Sequence, residues 1–145
     1  MAIATVFGVG YAPVAPGTVG SAVAALVLWI VPFSRVGLAV FLVTVVVVGT
    51  WAADVAERRL GGKDPGAIVI DEVAGMTVSV ALLPLTPAVL LGGFVLFRIF
   101  DVVKPPPAQA SQRLGGGVGV MIDDLIAGVY ALAVLVLSRA VVGWP

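Results

Sequence analysis

Long apolar stretches alternate with short polar or Gly/Pro-rich ones along the whole chain. The first covers residues 19–33 and closes at Pro32-Phe33-Ser34. The second, 36–53, carries no charge. A third runs from Val73 to Pro84, a fourth covers 88–97, and a fifth covers 125–137, with an extension to Trp144 left open. Prolines gather where these stretches end, at Pro32, Pro84, Pro87, Pro105, Pro106 and Pro107, as expected of a residue that breaks helices. A helix crossing the hydrocarbon needs about 20 apolar residues, with roughly 17–25 as the working range. Only the second stretch meets that unaided. The β-branched run 43–48 would suit a strand, but an open sheet in lipid leaves backbone groups unpaired. The pattern therefore predicts an all-α, multi-pass membrane helical bundle of about five hydrophobic helices, some of them short.

Composition strengthens this reading. The 145 residues are 61% hydrophobic and 11% charged, with a formal net charge of zero and a mean hydropathy of +1.19. A soluble domain usually carries about 25% charged residues. Eight basic and eight acidic residues cannot cover a water-exposed globule of this size, and lipid is the natural solvent for the remainder. The length allows one domain, 1–145. Cysteine and histidine are both absent, which excludes disulfides, Cys/His zinc sites and phosphatases that act through phosphocysteine or phosphohistidine. The first residues lack the positive n-region of a signal peptide, so the amino terminus is expected to be mature protein. No nucleic-acid partner is expected.

Charge placement predicts a topology. With five spans, segments 1–18, 54–70 and 101–119 emerge on one side and carry Arg58, Arg59, Lys63, Lys104 and Arg113. The opposite side holds Arg35 and, after the last span, Arg139. Basic residues favour the cytoplasmic face, so the three polar segments, with most of the carboxylates, are expected there.

Five of the eight acids are expected at the edges of apolar helices: Asp71, Glu72, Asp101, Asp123 and Asp124. A single acid in a first helical turn often only complements the helix dipole. Five ionisable groups near membrane depth point instead to pairing, a wet cavity or chemistry. Oxygen-only clusters suit hard cations such as Mg²⁺. The runs Ile70-Asp71-Glu72-Val73-Ala74-Gly75 and Ile122-Asp123-Asp124-Leu125-Ile126-Ala127-Gly128 echo one another. Asp71 with Gly75, and Asp124 with Gly128, are i,i+4 pairs sharing a helix face, where small residues let helices approach closely.

Arg98, Asp101 and Lys104 recur three residues apart. They form either a local ion pair with a snorkelling lysine or two phosphate-binding cations around a metal-binding acid. At the amino-terminal end of the first helix, Gly17, Thr18, Gly20 and Ser21 offer N–H groups and hydroxyls suited to an anion, or simply a helix cap. No lysine follows these glycines, so this is not a P-loop. Gly115-Gly116-Gly117-Val118-Gly119 reads as a flexible lead into the last helix or as a backbone nest for phosphate.

Four motifs in order resemble the phosphatidylglycerophosphatase A family. They are Pro13-Val14-Ala15-Pro16-Gly17-Thr18-Val19-Gly20-Ser21, residues 64–75 from Asp64-Pro65-Gly66 to Gly75, Phe97-Arg98-Ile99-Phe100-Asp101-Val102-Val103-Lys104-Pro105-Pro106-Pro107, and residues 116–128. The resemblance implies an all-helical, Mg²⁺-dependent enzyme of the bacterial inner membrane, with its site facing the cytoplasm. The reaction implied is hydrolysis of phosphatidylglycerophosphate to phosphatidylglycerol and inorganic phosphate. Asp71, Glu72, Asp101, Asp123 and Asp124 would be catalytic and metal-binding; Thr18, Ser21, Arg98, Lys104 and Arg113 would bind substrate. The family often has Asp-Arg where this chain has Gln112-Arg113, so Gln112 receives no metal role. The Asp-x-Asp signature of aspartate-based phosphatases is absent, although a phospho-aspartate intermediate stays open. The expected partners are a phospholipid in the bilayer and the membrane itself, and a homo-oligomer is compatible with the sequence. Rival readings are a phosphatase for another lipid phosphomonoester such as phosphatidic acid, a non-enzymatic channel or transporter with a cation site, and a soluble helical bundle.

Overall fold

A computed structural model describes residues 1–111 and 113–143; Gln112, Trp144 and Pro145 lie outside the described residues. After a 3-10 turn at Val9–Tyr11 come six helices: α1 (Pro16–Ile30), α2 (Arg35–Leu60), α3 (Ile70–Val80), α4 (Pro87–Val103), α5 (Ala108–Ser111) and α6 (Gly116–Val142). The described residues contain no strand, and the run 43–48 lies inside α2.

Local chemistry explains the boundaries. Ser34 caps α2 by accepting a hydrogen bond from Gly37 N–H at 2.9 Å, and Arg58 and Arg59 sit in its last turn, where cations suit the dipole. Thr86 caps α4 in the same way, accepting from Val89 N–H at 3.3 Å, and Pro87 takes the first helical position, where its missing N–H matters least.

α3 is the centre of the bundle, in contact with α1, α2, α4 and α6. Of its residues only Val78 is not buried, as befits a helix enclosed on all sides. At 1.5 Å per residue it is about 16 Å long, too short for a hydrocarbon core of about 30 Å. Among the described residues, two helices, α2 and α6, are long and apolar enough to cross a membrane. Outward-facing stripes follow helical spacing: Val36, Val40, Val43, Val47 and Trp51 on α2, and Leu91, Val95, Ile99 and Val102 on α4 are all exposed. Such continuous apolar faces are unusual on a soluble monomer and suit lipid.

Successive long helices run in alternate directions. The α1–α2 and α3–α4 connections meet at one end, where Val31, Pro32, Phe33 and Arg35 line a cavity with Ala81, Leu83, Pro84 and Leu85. The opposite end gathers the start of α1, the loop before α3, the end of α4 and the first half of α6.

Glycines set the helix spacing there. A Cβ on Gly75 would lie against the Phe97 ring and 2.7 Å from Asp124 O, and one on Gly128 would lie 2.5 Å from Gly75 O. The two glycines of the echoed runs thus face each other across the α3–α6 contact. One expectation is corrected. Asp123 and Asp124 are not at a helix edge but lie about two turns inside α6. The glycine run ahead of them enters the helix at Gly116, with Gly115 as its extended cap, and Gly117 abuts α2: a Cβ there would come 2.8 Å from Asp54 N, and Gly117 N–H donates to Asp54 Oδ1 at 3.2 Å.

Candidate active site

The end of the bundle that gathers these segments encloses a cavity of about 380 Å³. Asp71 and Glu72 reach it from the first turn of α3, Arg98 and Asp101 from the last turns of α4, Lys104 from the α4 cap, and Asp123 and Asp124 from α6. Residues as far apart in the chain as Ala15 and Asp124 meet at this cavity, with α3 threaded through the middle.

All five carboxylates are buried, with relative exposures between 2% and 9%. Buried charge is costly unless paired or coordinated. Two cations supply part of the pairing. Arg98 Nη1 donates to Asp101 Oδ2 at 2.5 Å and stands 4.0 Å from Glu72 Oε1. Lys104 Nζ donates to Asp123 Oδ2 at 2.8 Å and to Asp101 Oδ1 at 3.3 Å. Lys104 reaches this position by closing α4 in the left-handed region, φ 50°, with its N–H bonded to Phe100 O at 2.9 Å. That conformation costs a non-glycine residue roughly 1–2 kcal/mol, offset by two ion pairs.

Three buried carboxylate oxygens have no hydrogen-bond partner among the described residues: Asp71 Oδ1, Glu72 Oε2 and Asp124 Oδ2. Single oxygens of Asp71, Glu72 and Asp124 lie within 4.8 Å of one another, and the same holds for Asp101, Asp123 and Asp124. An all-oxygen set with orphaned atoms fits a hard divalent cation. The cluster could hold a metal ion.

The remaining residues singled out in the sequence are placed differently. Thr18 is half-buried on α1, one residue beyond the cavity lining. Ser21 is fully buried and donates its hydroxyl to Gly17 O at 2.8 Å within α1. Arg113 is exposed on the turn after α5 and does not line the cavity. Gly115 and Gly116 also lie outside it.

Two features of the lining escaped sequence reasoning: the place of Asp64, which was given no role, and the close approach at Gly17, which was read only as an anion-binding or capping glycine. Asp64 sits at the wall between this cavity and a second of about 390 Å³ that also contains Glu57, Lys63 and Asp123. Its backbone N–H is fixed by Glu57 Oε1 at 2.8 Å. Desolvation and then the Asp123 carboxylate push the Asp64 carboxyl up to about 6, against the opposing pull of Lys104. Gly17 is the other. A Cβ there would lie 2.5 Å from Glu72 Oε1 and 3.3 Å from Arg98, so a larger residue would displace the ends of those side chains. Position 64 within its Asp-Pro-Gly run was the available signal for the first; the second needed the fold.

The family model described as Phosphatidylglycerophosphatase A matches residues 2–139. Among curated proteins, a Bacteroides thetaiotaomicron protein with the provisional name phosphatidylinositol-3-phosphatase is 37% identical, covering 97% of this chain and 94% of its own length. Phosphatidylglycerophosphatase A of Escherichia coli is 37% identical over 92% of this chain and 79% of its own. That of Haemophilus influenzae is 36% identical over 92% and 84%. No solved structure gives a significant match. Helical fold, carboxylate cavity and relatives together define a class, the lipid phosphatases. Within it, the chain belongs to the phosphatidylglycerophosphatase A family.

Proposed function

We propose that this protein hydrolyses the terminal phosphomonoester of phosphatidylglycerophosphate, releasing phosphatidylglycerol and inorganic phosphate, with Mg²⁺ as cofactor. The observation that carries the reading is the single cavity in which five buried carboxylates, three with orphaned oxygens, meet Arg98 and Lys104. Asp71, Glu72 and Asp124 would hold the ion. When bound, Mg²⁺ would neutralise phosphate charge and acidify water as the nucleophile.

The chain's own groups supply the rest. Arg98 and Lys104 each keep donors beyond those spent on carboxylates and can bind phosphate oxygens, steadying charge as it develops. The first N–H groups of a helix lack intrahelical partners; Pro16 has none to offer, and that of Gly17 lies at the cavity lining, a suitable place for an anion. The second oxygen of one of the metal-holding carboxylates would take the proton from the attacking water. Low dielectric around the buried acids strengthens each of these interactions. Acyl chains remain in lipid along the apolar stripes, so the cavity accommodates the headgroup phosphate alone. The excess of basic residues at this end supports a cytoplasmic-facing site in the bacterial inner membrane.

The test is phosphate release by detergent-purified protein offered phosphatidylglycerophosphate, phosphatidic acid and phosphatidylinositol 3-phosphate, with Mg²⁺ or with chelator. Phosphatidylglycerophosphate is expected to be turned over fastest, and chelator to stop release. Asp71→Asn and Asp124→Asn are each expected to abolish turnover in a folded protein; full activity in both would sink the site. The name of the Bacteroides thetaiotaomicron relative favours phosphoinositide as the second reading, and faster turnover of that lipid would establish it.

A further inference from the structure

The five carboxylates form two groups that share Asp124. One oxygen each from Asp71, Glu72 and Asp124 lie within 4.8 Å of one another, as do one each from Asp101, Asp123 and Asp124. Their surroundings differ. In the first group, each residue carries a shielded oxygen with no hydrogen-bond partner, and the three residues are 4%, 9% and 2% exposed. Arg98 reaches that group only at 4.0 Å, through the other Glu72 oxygen. In the second group, Lys104 Nζ already lies 2.8 Å from Asp123 Oδ2 and 3.3 Å from Asp101 Oδ1, and Arg98 holds the remaining Asp101 oxygen at 2.5 Å.

An ammonium is a compact point charge with three donors. Placed among carboxylates, it fills the electrostatic role of a metal ion. A divalent cation brought to the same oxygens would stand beside it in low-dielectric surroundings, where like charges repel strongly. Lys104 is also held from behind: its N–H bonds to Phe100 O at 2.9 Å, and Pro105 follows. Two-metal phosphatases keep their ions about 3.5–4 Å apart across shared ligands, and Asp124 is the shared ligand such a pair would need.

We propose that Lys104 occupies the second cation position, so that this cavity takes one divalent ion, at Asp71, Glu72 and Asp124, instead of two. The inference rests on the metal-dependent reading above and fixes the ion count of that site. Removing the ammonium uncovers the vacant trio Asp101, Asp123 and Asp124, which then accepts an ion of its own.

The measurement is Mn²⁺ bound per chain at saturation in detergent, read from the loss of the free-ion EPR signal. The wild-type protein is expected to bind one ion, Lys104→Met two and Lys104→Arg one. The ion gained by Lys104→Met is expected to survive Asp71→Asn and to show dipolar coupling to the first when both are present. Two ions in the wild type, or one in folded Lys104→Met, overturns the proposal and leaves the metal-dependent phosphatase intact. No ion in the wild type overturns the metal-dependent reading itself, and the proposal with it. Where Lys104→Met does not fold, Lys104→Gln serves in its place and is held to the same count.

Discussion

The two acid pairs, Asp71-Glu72 and Asp123-Asp124, look alike in sequence and differ in the fold. The first opens α3, a short helix enclosed by four neighbours, and each of its members has an oxygen without a partner. The second lies inside α6, one of the two longest helices, and is divided: Asp123 is tied to Lys104, while Asp124 keeps an orphaned oxygen facing the first pair. Adjacent acids on a helix point about 100° apart, so one motif can give a metal ligand and an ion-pair partner at once. Which member does which is decided by what the neighbouring helix presents, here the left-handed end of α4.

Substitutions at these pairs give the largest expected effect. Asp71→Asn is predicted to lower phosphate release by at least about 100-fold, since losing an ion worth several kcal/mol has that consequence. Asp123→Asn, which removes a partner of Lys104, is predicted to lower it by roughly 10-fold, the scale of lost supporting contacts. Steady-state release checks both, and equal losses would erase the distinction between the pairs.

A second test acts on the approach of α3 to α6. Gly75→Ala puts a methyl against Phe97 and the Asp124 carbonyl, and overpacking of this kind costs about 1–3 kcal/mol. The expected result is a lower thermal midpoint together with weaker metal binding, because both acid pairs hang on that contact. Gly92→Ala, whose Cβ would meet only the end of Leu135 at 3.1 Å, is predicted to change both far less.

The smallest effect concerns Asp64. Its carboxyl titrates at about 6 in the fold instead of 3.8, so the folded chain holds this proton more tightly than the unfolded one. Stability from this group is complete below pH 3.8 and is lost as pH rises through 6. The residue is exposed, and solvent screening limits the effect to under about 1 kcal/mol. Asp64→Asn is predicted to flatten the dependence of the melting temperature on pH between 4 and 6; an unchanged slope would count against it.

The sequence made α1, α3 and α4 legible because prolines bound their apolar runs, and α2 and α6 because their runs are long; α5, with no such run, was not read. The sequence also singled out the five acids that the fold brings to one cavity, since carboxylates among aliphatics are costly without a purpose. Other features needed the fold. The start of α6 was hidden because Gly115-Gly116-Gly117-Val118-Gly119 has the composition of a loop, yet Gly117 is there to let two helices touch. The central place of α3 was hidden because a hydropathy pattern records apolarity, not whether protein or lipid surrounds it. Ser21 looked available for a ligand, but its hydroxyl is spent on Gly17 O, a bond to the preceding turn common for serine in helices.

At residue 17 the chamber wall is bare main chain, because any side-chain carbon would strike the Glu72 oxygen. Whatever enters at that point meets main chain first, with the ends of Glu72 and Arg98 directly behind it. A methyl placed there would press on those two ends and shift the acid and the cation that meet the phosphate.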